Sequence, residues 1–311
     1  MLGYFFKRIL LIIPCVMAVI LLIFLLMAAL PGTDTAHMVP YADDVPGEAP
    51  LSLLEQYGKY CWRVFAHQDF GKARSSVLPL REELRVRTGI TLRVMGISVF
   101  FTYLLGVPLG VYAACRRGRW QDSLITTLTT LLSSIPAFCL SLALMLLFAV
   151  RLRWIHVIPQ NAADAILPIA ILAVVGASNV AKVTRAGMAE VLDRPFILSL
   201  TSLGLSRRSV IGRHALKNAL VPAFSVFSNI CAQLLCGSIV VEHFFTIRGL
   251  GSAMIAAIRS RATTTLLGCA VVVALIMCVC GVITDMLFVL VNPSLRRTLS
   301  FRSTLRGRKG R

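Results

Sequence analysis

Six long apolar runs constrain this chain more than any other feature of its sequence. A helix needs roughly 20 apolar residues to cross a bilayer core of about 30 Å, and these runs are near or above that length. A mean hydropathy of +0.79 and a charged fraction of 15% also lie outside the range of ordinary soluble domains. The sequence therefore predicts an all-α, polytopic membrane protein with six transmembrane helices, at Ile9–Leu30, Val94–Ala114, Ser123–Val150, Ile166–Val183, Val221–Val241 and Thr263–Val291.

The net charge of +18 follows from where the basic residues lie along the chain. With an even number of spans and the amino end inside, the short loops and termini place 19 basic residues in the cytoplasm and 5 outside. This is the inside-positive bias of membrane proteins. We therefore predict that both ends of the chain are cytoplasmic, and the charge requires no nucleic-acid partner.

The spans divide the chain into four parts. We predict an N-terminal transmembrane helix over residues 1–30, a periplasmic loop with short helices over 31–93, a five-helix core over 94–291 and a basic cytoplasmic tail over 292–311. In the loop, helical spacing predicts an amphipathic helix around Leu51–Phe65, with an apolar face of Leu54, Tyr57, Cys61, Val64 and Phe65. A second helix around Pro79–Val86 is expected to lead into span two.

The third apolar run contains a proline after two serines, in the segment Ser133–Pro136. Proline removes one backbone hydrogen bond and kinks a helix. The preceding hydroxyls can satisfy the freed backbone groups. Two interpretations stay open, a kink that serves packing and a flexible wall of a transport pathway.

The spans carry little that could perform chemistry. Asp285 and Glu242 are expected near opposite faces of the membrane, and Lys182 and Arg185 are expected to snorkel to the inner interface. The histidines are far apart, which disfavours a metal site, and no glycine-rich phosphate loop precedes a helix. We therefore predict a protein that is not an enzyme.

The span centres offer neutral polar groups instead of acids. Such groups suit a passage for a polar solute, although they also form hydrogen bonds between helices. A carrier coupled to protons or ions would call for a carboxylate or a broken-helix ion site in mid-membrane. The candidate translocation residues are Ser134, Ser178, Asn179, Asn229 and Gln233.

Between spans four and five, a long segment combines basic and apolar residues. Pro195 suits the first turn of a helix, Gly204 can adopt the left-handed conformation that ends one, and Ser206 can cap the next. Phe196 and Leu198 give this short helix more apolar surface than a solvated loop carries. It is expected to enter a groove of another protein, and the alternative is a helix that lies on lipid.

Several motifs resemble one known family. The run His214–Pro222, HALKNALVP, is the most specific of them. The chain resembles the dipeptide/oligopeptide/nickel family of ABC-importer permeases through this run and through FKRILLIIP, PGTDTA, DFGKARSSVLPL, GVPLGVYAACRRGRWQD, SIPAF, FFTIRGLG and NPSLRR.

This resemblance implies the type I fold of ABC-importer permeases and a location in the bacterial inner membrane. It implies a subunit that imports peptides together with a second, homologous permease, two ABC ATPases and a periplasmic or lipid-anchored substrate-binding protein. ATP and Mg²⁺ would bind to the ATPases, with no cofactor in this chain. The residues that would couple this chain to an ATPase lie in the cytoplasmic segment 186–217, and they are Arg194, Phe196, Leu198, Thr201, Gly204, Leu205 and Ser206.

The chain departs from the family pattern at three places. Residues 198–204 read LSLTSLG where relatives have a basic, alanine-rich stretch, and Arg248 replaces a proline near the outer face. The run RSRATTTLLG replaces the Arg-Asp-Tyr-Pro element that relatives have before span six. Import of nickel or a chelated metal, and movement of polyamines, stay open as alternatives. A channel or structural subunit that works without ATPases is the rival from another class.

Overall fold

The computed structural model describes residues 8, 10–29, 52–71, 79–156 and 162–291. The secondary structure of this part is helical and contains no β-strand. Parts of the periplasmic loop and all of the tail, including the matches PGTDTA and NPSLRR, lie outside the described residues. The described α-helices are α1 Ile12–Ala29, α2 Leu53–Trp62, α3 Leu80–Cys115, α4 Trp120–Ser134, α5 Ala137–Met145, α6 Ile166–Leu192, α7 Pro195–Ser202, α8 Arg207–Ser209, α9 Leu216–Ser225, α10 Phe227–Phe244, α11 Leu250–Arg259 and α12 Thr263–Val291.

Four of these helices, α3, α6, α10 and α12, are long and apolar enough to cross a membrane. A fifth span results if α4 and α5, with the helical turn that follows α5, are counted together. The apolar part of α1, Ile12–Leu26, is shorter than a full span. The predicted total of six spans is therefore not reached in the described part, because both predicted ends of span one, Ile9 and Leu30, lie outside it.

The third predicted span is broken at its proline. The chain bends by 91° between α4 and the helical segment that begins with α5. Ile135 is extended, with ψ of 121°, and Pro136 begins the next helix. Ser133 and Ser134 both donate their hydroxyl protons to the carbonyl of Thr130, at 3.0 and 2.8 Å. These bonds go to a carbonyl inside α4, whereas the carbonyl that Pro136 leaves without a donor is that of Leu132. The expected role of the two hydroxyls at the break is therefore not confirmed.

The fifth predicted span is also interrupted, which the sequence interpretation did not anticipate. The helix α9 ends at Ser225, and Val226, with ψ of 6°, separates it from α10. Pro222 lies one turn earlier and has no N–H to donate to the helix. The membrane-length helix is consequently α10, displaced from the predicted Val221–Val241.

The centre of the bundle is the pair α3 and α6, which pack along each other more extensively than any other described helices. Two glycines one turn apart allow this close approach. A Cβ on Gly106 would lie 2.8 Å from the carbonyl oxygen of Ala177, and a Cβ on Gly110 would lie 2.5 Å from that of Ala181. Small residues at such spacing let helix backbones meet in a membrane.

The short helix α2 packs against α1 and α12. Ser52 and Glu55 form a reciprocal capping box that starts α2. Tyr60 is buried beside Phe24, with ring centroids 5.8 Å apart. The predicted amphipathic helix is thus present, but Leu54 and Phe65 are 76% and 40% exposed and do not belong to its buried face. Helix α3 begins at Leu80 and continues without a break, so the expected lead-in to span two is confirmed.

A buried carboxylate organises the turn between α10 and α11. Glu242 accepts a hydrogen bond from the hydroxyl of Thr91 at 2.7 Å and from the backbone N–H of Gly251 at 2.8 Å. The hydroxyl of Thr91 in turn accepts from the N–H of Leu250 at 2.8 Å. Glu242 and Thr91 therefore satisfy free N–H groups at the start of α11.

The two acids of the span ends lie far apart. Asp285 forms an ion pair with Arg8, at 2.9 Å, in the last turns of α12. Glu242 lies in the last turn of α10, at the end of the bundle where α11 connects α10 to α12. The prediction that these acids do not face each other is confirmed.

Candidate functional site

Helix α7 stands at the end of the bundle that carries Arg116, Arg117, Arg207 and Arg208, called here the basic end. Pro195 occupies its first turn and extended Arg194 precedes it. The helix ends before Gly204, whose φ of +80° lies in the left-handed region. The side chain of Ser206 then accepts the N–H of Ser209, at 3.4 Å, and begins α8. The predicted start, end and following cap are all confirmed.

One face of α7 anchors it to the bundle. Ile197 is 8% exposed, and Leu200, at the next helical position, is partly buried beside it. Both belong to an apolar cluster with residues of α3, α6 and α9, namely Ala114, Met188, Val191 and Ala219, and with Val210 and Ala215 of the helical turn before α9. The main packing contact of α7 is the helical turn Val210–Ala215, which leads into α9, and the shared cluster connects it to the ends of α3 and α6.

The other face of α7 is apolar and uncovered. Leu198 is 72% exposed and Leu203 is 78% exposed, with Phe196 and Leu205 at 36% and 37%. We call these four residues the outer face. Thr201 does not extend it, because its hydroxyl donates to the carbonyls of Ile197 and Leu198.

Three polar contacts hold this segment in place at the basic end. Arg117 pairs with Asp193 at 2.7 Å, just before α7. Arg194 pairs with Glu190 at 2.8 Å. Arg207 donates to the carbonyl of Cys115 at 3.2 Å. These contacts tie both ends of the α7 segment to α3, to α6 and to the turn after α3.

A second group of polar residues lies deeper along the bundle. Asn179 of α6 donates to the side-chain oxygen of Gln233 of α10, at 3.1 Å. Lys182, one turn further along α6, donates to the hydroxyl of Ser133 at 2.6 Å. Asn229 is exposed one turn before Gln233 on α10. We call these five residues the polar surface.

The structure separates the predicted translocation residues into two groups. Asn179, Asn229 and Gln233 lie on the polar surface, and Ser134 is exposed next to it at the end of α4. Ser178 is 3% exposed and donates to the carbonyl of Val174 in its own helix, so it does not line this surface.

The predicted orientation of the Lys182 side chain is wrong. We expected it to snorkel to the inner interface together with Arg185. Arg185 does bond to Asp122 near the start of α4. Lys182 instead reaches Ser133, eleven residues further along α4, beside the break at Pro136. The packing of α4 against α6 places this hydroxyl within reach of the ammonium, and a sequence pattern does not contain that information.

Two other residues of these sites escaped the sequence interpretation. Ile197 anchors α7, and its spacing of three from Leu200 was the available signal for a buried face. Asp122 holds Arg185 by two hydrogen bonds, but no local pattern links residues so distant in the chain.

These features define a multi-pass, all-helical membrane protein with a short helix presented at one end of its bundle. Residues 106–297 match the family described as the binding-protein-dependent transport system inner membrane component. The chain belongs to this family. It is accordingly a multi-pass inner-membrane permease subunit, and the resemblance found in the motifs is confirmed.

The relatives extend over almost the whole chain. A protein of Brucella abortus (strain 2308) named as a peptide transport system permease is 30% identical over 308 residues, covering 93% of this chain and 98% of the relative. The glutathione transport system permease protein GsiC of Salmonella paratyphi A is 32% identical over 308 residues, covering 95% and 99%. A peptide transport permease of Brucella suis is 30% identical over 305 residues, covering 92% and 96%.

Proposed function

We propose that this protein is the permease subunit of an ATP-driven importer of peptides. Its partners are a second, homologous permease, two ABC ATPases that bind ATP and Mg²⁺, and a substrate-binding protein on the outer side. The relatives named for transport of peptides and of glutathione, itself a tripeptide, support this substrate class. In this proposal the basic end of the bundle faces the cytoplasm.

The division of α7 into a buried and an uncovered face carries the proposal. A helix that only lay on lipid would need no firm anchor in the protein, whereas Ile197 is packed against α3, α6 and α9. The outer face, led by Leu198 and Leu203, is suited to a groove of an ATPase. Closure of the ATPases on ATP would then move α7 and, through its packing, α6 and α9.

Movement of α6 reaches the rest of the bundle. It packs along α3 and contributes Asn179 and Lys182 to the polar surface. A shift of α6 therefore changes the polar surface and the α4–α5 break together. In this proposal the coupled movement of α6 produces alternating access, and Arg194–Ser206 is the segment that one of the two ATPases binds.

Reconstitution of the complex in liposomes tests this function. We expect uptake of labelled glutathione or trialanine to require ATP, both ATPases and the binding protein. Flux that persists without ATPases would instead indicate a channel. Purified permease that binds no ATPase, or an intact complex that moves neither peptide, would contradict the proposal.

A further inference from the structure

We propose that Lys182 binds the carboxylate of the transported peptide during translocation. This inference rests on the proposed function and names a recognition group within its pathway. The site is the polar surface, with Lys182 and Asn179 on α6, Asn229 and Gln233 on α10, and Ser133 at the end of α4.

The position of Lys182 is the first support. It lies within α6, which is long and apolar enough to span the membrane, and its ammonium points to the broken end of α4 rather than to the basic end. Ionisable side chains at such depth are costly, and they generally face the protein interior or a water-filled pathway. Its partial burial agrees with a group at the wall of such a pathway.

The charge of Lys182 is the second support. Among the described residues, no carboxylate lies within ion-pair distance of its ammonium. Asp122, the acid that faces α6 at the start of α4, is engaged by both nitrogens of the Arg185 fork. The hydroxyl of Ser133 uses only one of the three ammonium protons, so two donors stay available for an anion.

The neutral neighbours define the rest of the ligand. Asn179 and Gln233 pair with each other through their amides, and Asn229 is exposed one turn away. Side-chain amides donate and accept, as peptide groups do. An ammonium beside amides therefore matches a peptide with a free carboxylate, and the positive charge of the ammonium disfavours a cation such as a bare metal ion.

Transport of trialanine and of its C-terminal amide tests this assignment. The reconstituted complex is compared with Lys182→Met, Lys182→Arg and the matched control Lys217→Met, a lysine exposed on α9. The quantity measured is the ratio of kcat/KM for the free acid to that for the amide. Because the same binding protein serves every variant, its own preference cancels when a variant is compared with the wild type.

We expect Lys182→Met to lower this ratio about tenfold, the size of one charge-assisted hydrogen bond, and to leave transport of the amide nearly unchanged. Lys182→Arg and Lys217→Met should keep the wild-type ratio. If Lys182→Met fails to assemble, Lys182→Gln removes the charge but keeps a donor for Ser133.

Equal losses for acid and amide in the neutral variants would show that Lys182 only supports the fold, and the inference would be overturned. An unchanged ratio would overturn it as well, and leave ATP-driven peptide uptake intact. Failure of the wild-type complex to take up either peptide would refute the proposed function itself, and this inference with it.

Discussion

Arg185 donates two hydrogen bonds to Asp122, from Nε at 2.5 Å and from Nη2 at 2.7 Å. The carboxylate is almost fully buried and also accepts the backbone N–H of Gly118, at 3.2 Å. The two hydrogen bonds from Arg185 join α6 to the start of α4 at the basic end. One turn away, Lys182 is bonded only to a neutral hydroxyl. The two cationic side chains of α6 thus have different partners. Arg185 can be assigned a structural role, separate from the transport role that is proposed for Lys182.

Asp122→Asn should destabilise the bundle, because it leaves the guanidinium of Arg185 without its carboxylate. The side chain of Asp122 is 7% exposed and that of Arg185 is 32% exposed, so the loss should lie between the roughly 1 kcal/mol of an exposed pair and the roughly 3–5 kcal/mol of a fully buried one. Thermal unfolding in detergent should show a clearly lowered midpoint. Asp193→Asn is the matched control, because the Arg117–Asp193 pair is exposed and is expected to contribute no more than about 1 kcal/mol. Equal effects of the two substitutions would contradict this prediction.

The sequence determined the local features that depend on a few neighbouring residues. Helix α12 has the predicted bounds, Thr263–Val291, because its apolar run is continuous. Around α7, Pro195, Gly204 and Ser206 each impose a backbone conformation by their own chemistry.

Features that depend on distant partners were not predictable in the same way. Lys182 binds Ser133 because α4 packs against α6, and these residues are 49 positions apart in the chain. Asp122 and Arg185 are 63 residues apart in the chain. The interruption at Val226 follows Pro222 by a turn, whereas α3 continues helically through Pro108, so proline alone does not specify a break.

Gly251→Ala should damage the turn that Glu242 organises. A Cβ at this position would overlap the Cα of Ile239. Because this is a backbone atom, the backbone of α10 or of α11 would have to shift. Overpacking of this kind costs about 1–3 kcal/mol. The apparent unfolding temperature should therefore fall.

Gly96→Ala is the control for that substitution. Gly96 lies in α3, where an added Cβ would have no neighbouring atom within 4 Å, and alanine favours a helix by up to about 1 kcal/mol. It should leave the midpoint unchanged or raise it. Stability of Gly251→Ala equal to that of the wild type would show that the turn adapts.

The two faces of α7 should respond differently to the same substitution. Leu198→Ser removes an exposed side chain, so the permease itself should keep its stability but bind the ATPase more weakly, by about 1–3 kcal/mol if the residue is central to the contact. Ile197→Ser removes a buried anchor and should lower permease stability. Unfolding of the isolated permease and co-purification of the ATPase separate these effects. Full ATPase binding by Leu198→Ser combined with Leu203→Ser would exclude the outer face as the contact.

Gly204→Val should uncouple ATP hydrolysis from transport. The φ of +80° is unfavourable for a β-branched residue, by about 1–3 kcal/mol, although the position is open and a side chain meets no atom. The strain should tilt or fray the end of α7 and thereby weaken its contact with the ATPase. In the reconstituted complex we expect ATP hydrolysis to continue while peptide uptake falls by about tenfold, because strain of ~1.4 kcal/mol shifts a conformational equilibrium by that factor.

Two controls distinguish coupling from general strain. Gly204→Asn should retain most uptake, because asparagine tolerates the left-handed region. Gly118→Val introduces the same strain at the basic end, since Gly118 has φ of +78° and is also open, but it lies in the turn between α3 and α4. Because this turn also carries Arg117, which pairs with Asp193 just before α7, Gly118→Val should weaken coupling less than Gly204→Val rather than leave it unaffected. Normal transport by Gly204→Val would show that the end of α7 is not the coupling element. Uncoupling by Gly118→Val as strong as that by Gly204→Val would show the same, because backbone strain at the end of α7 would then have no specific effect.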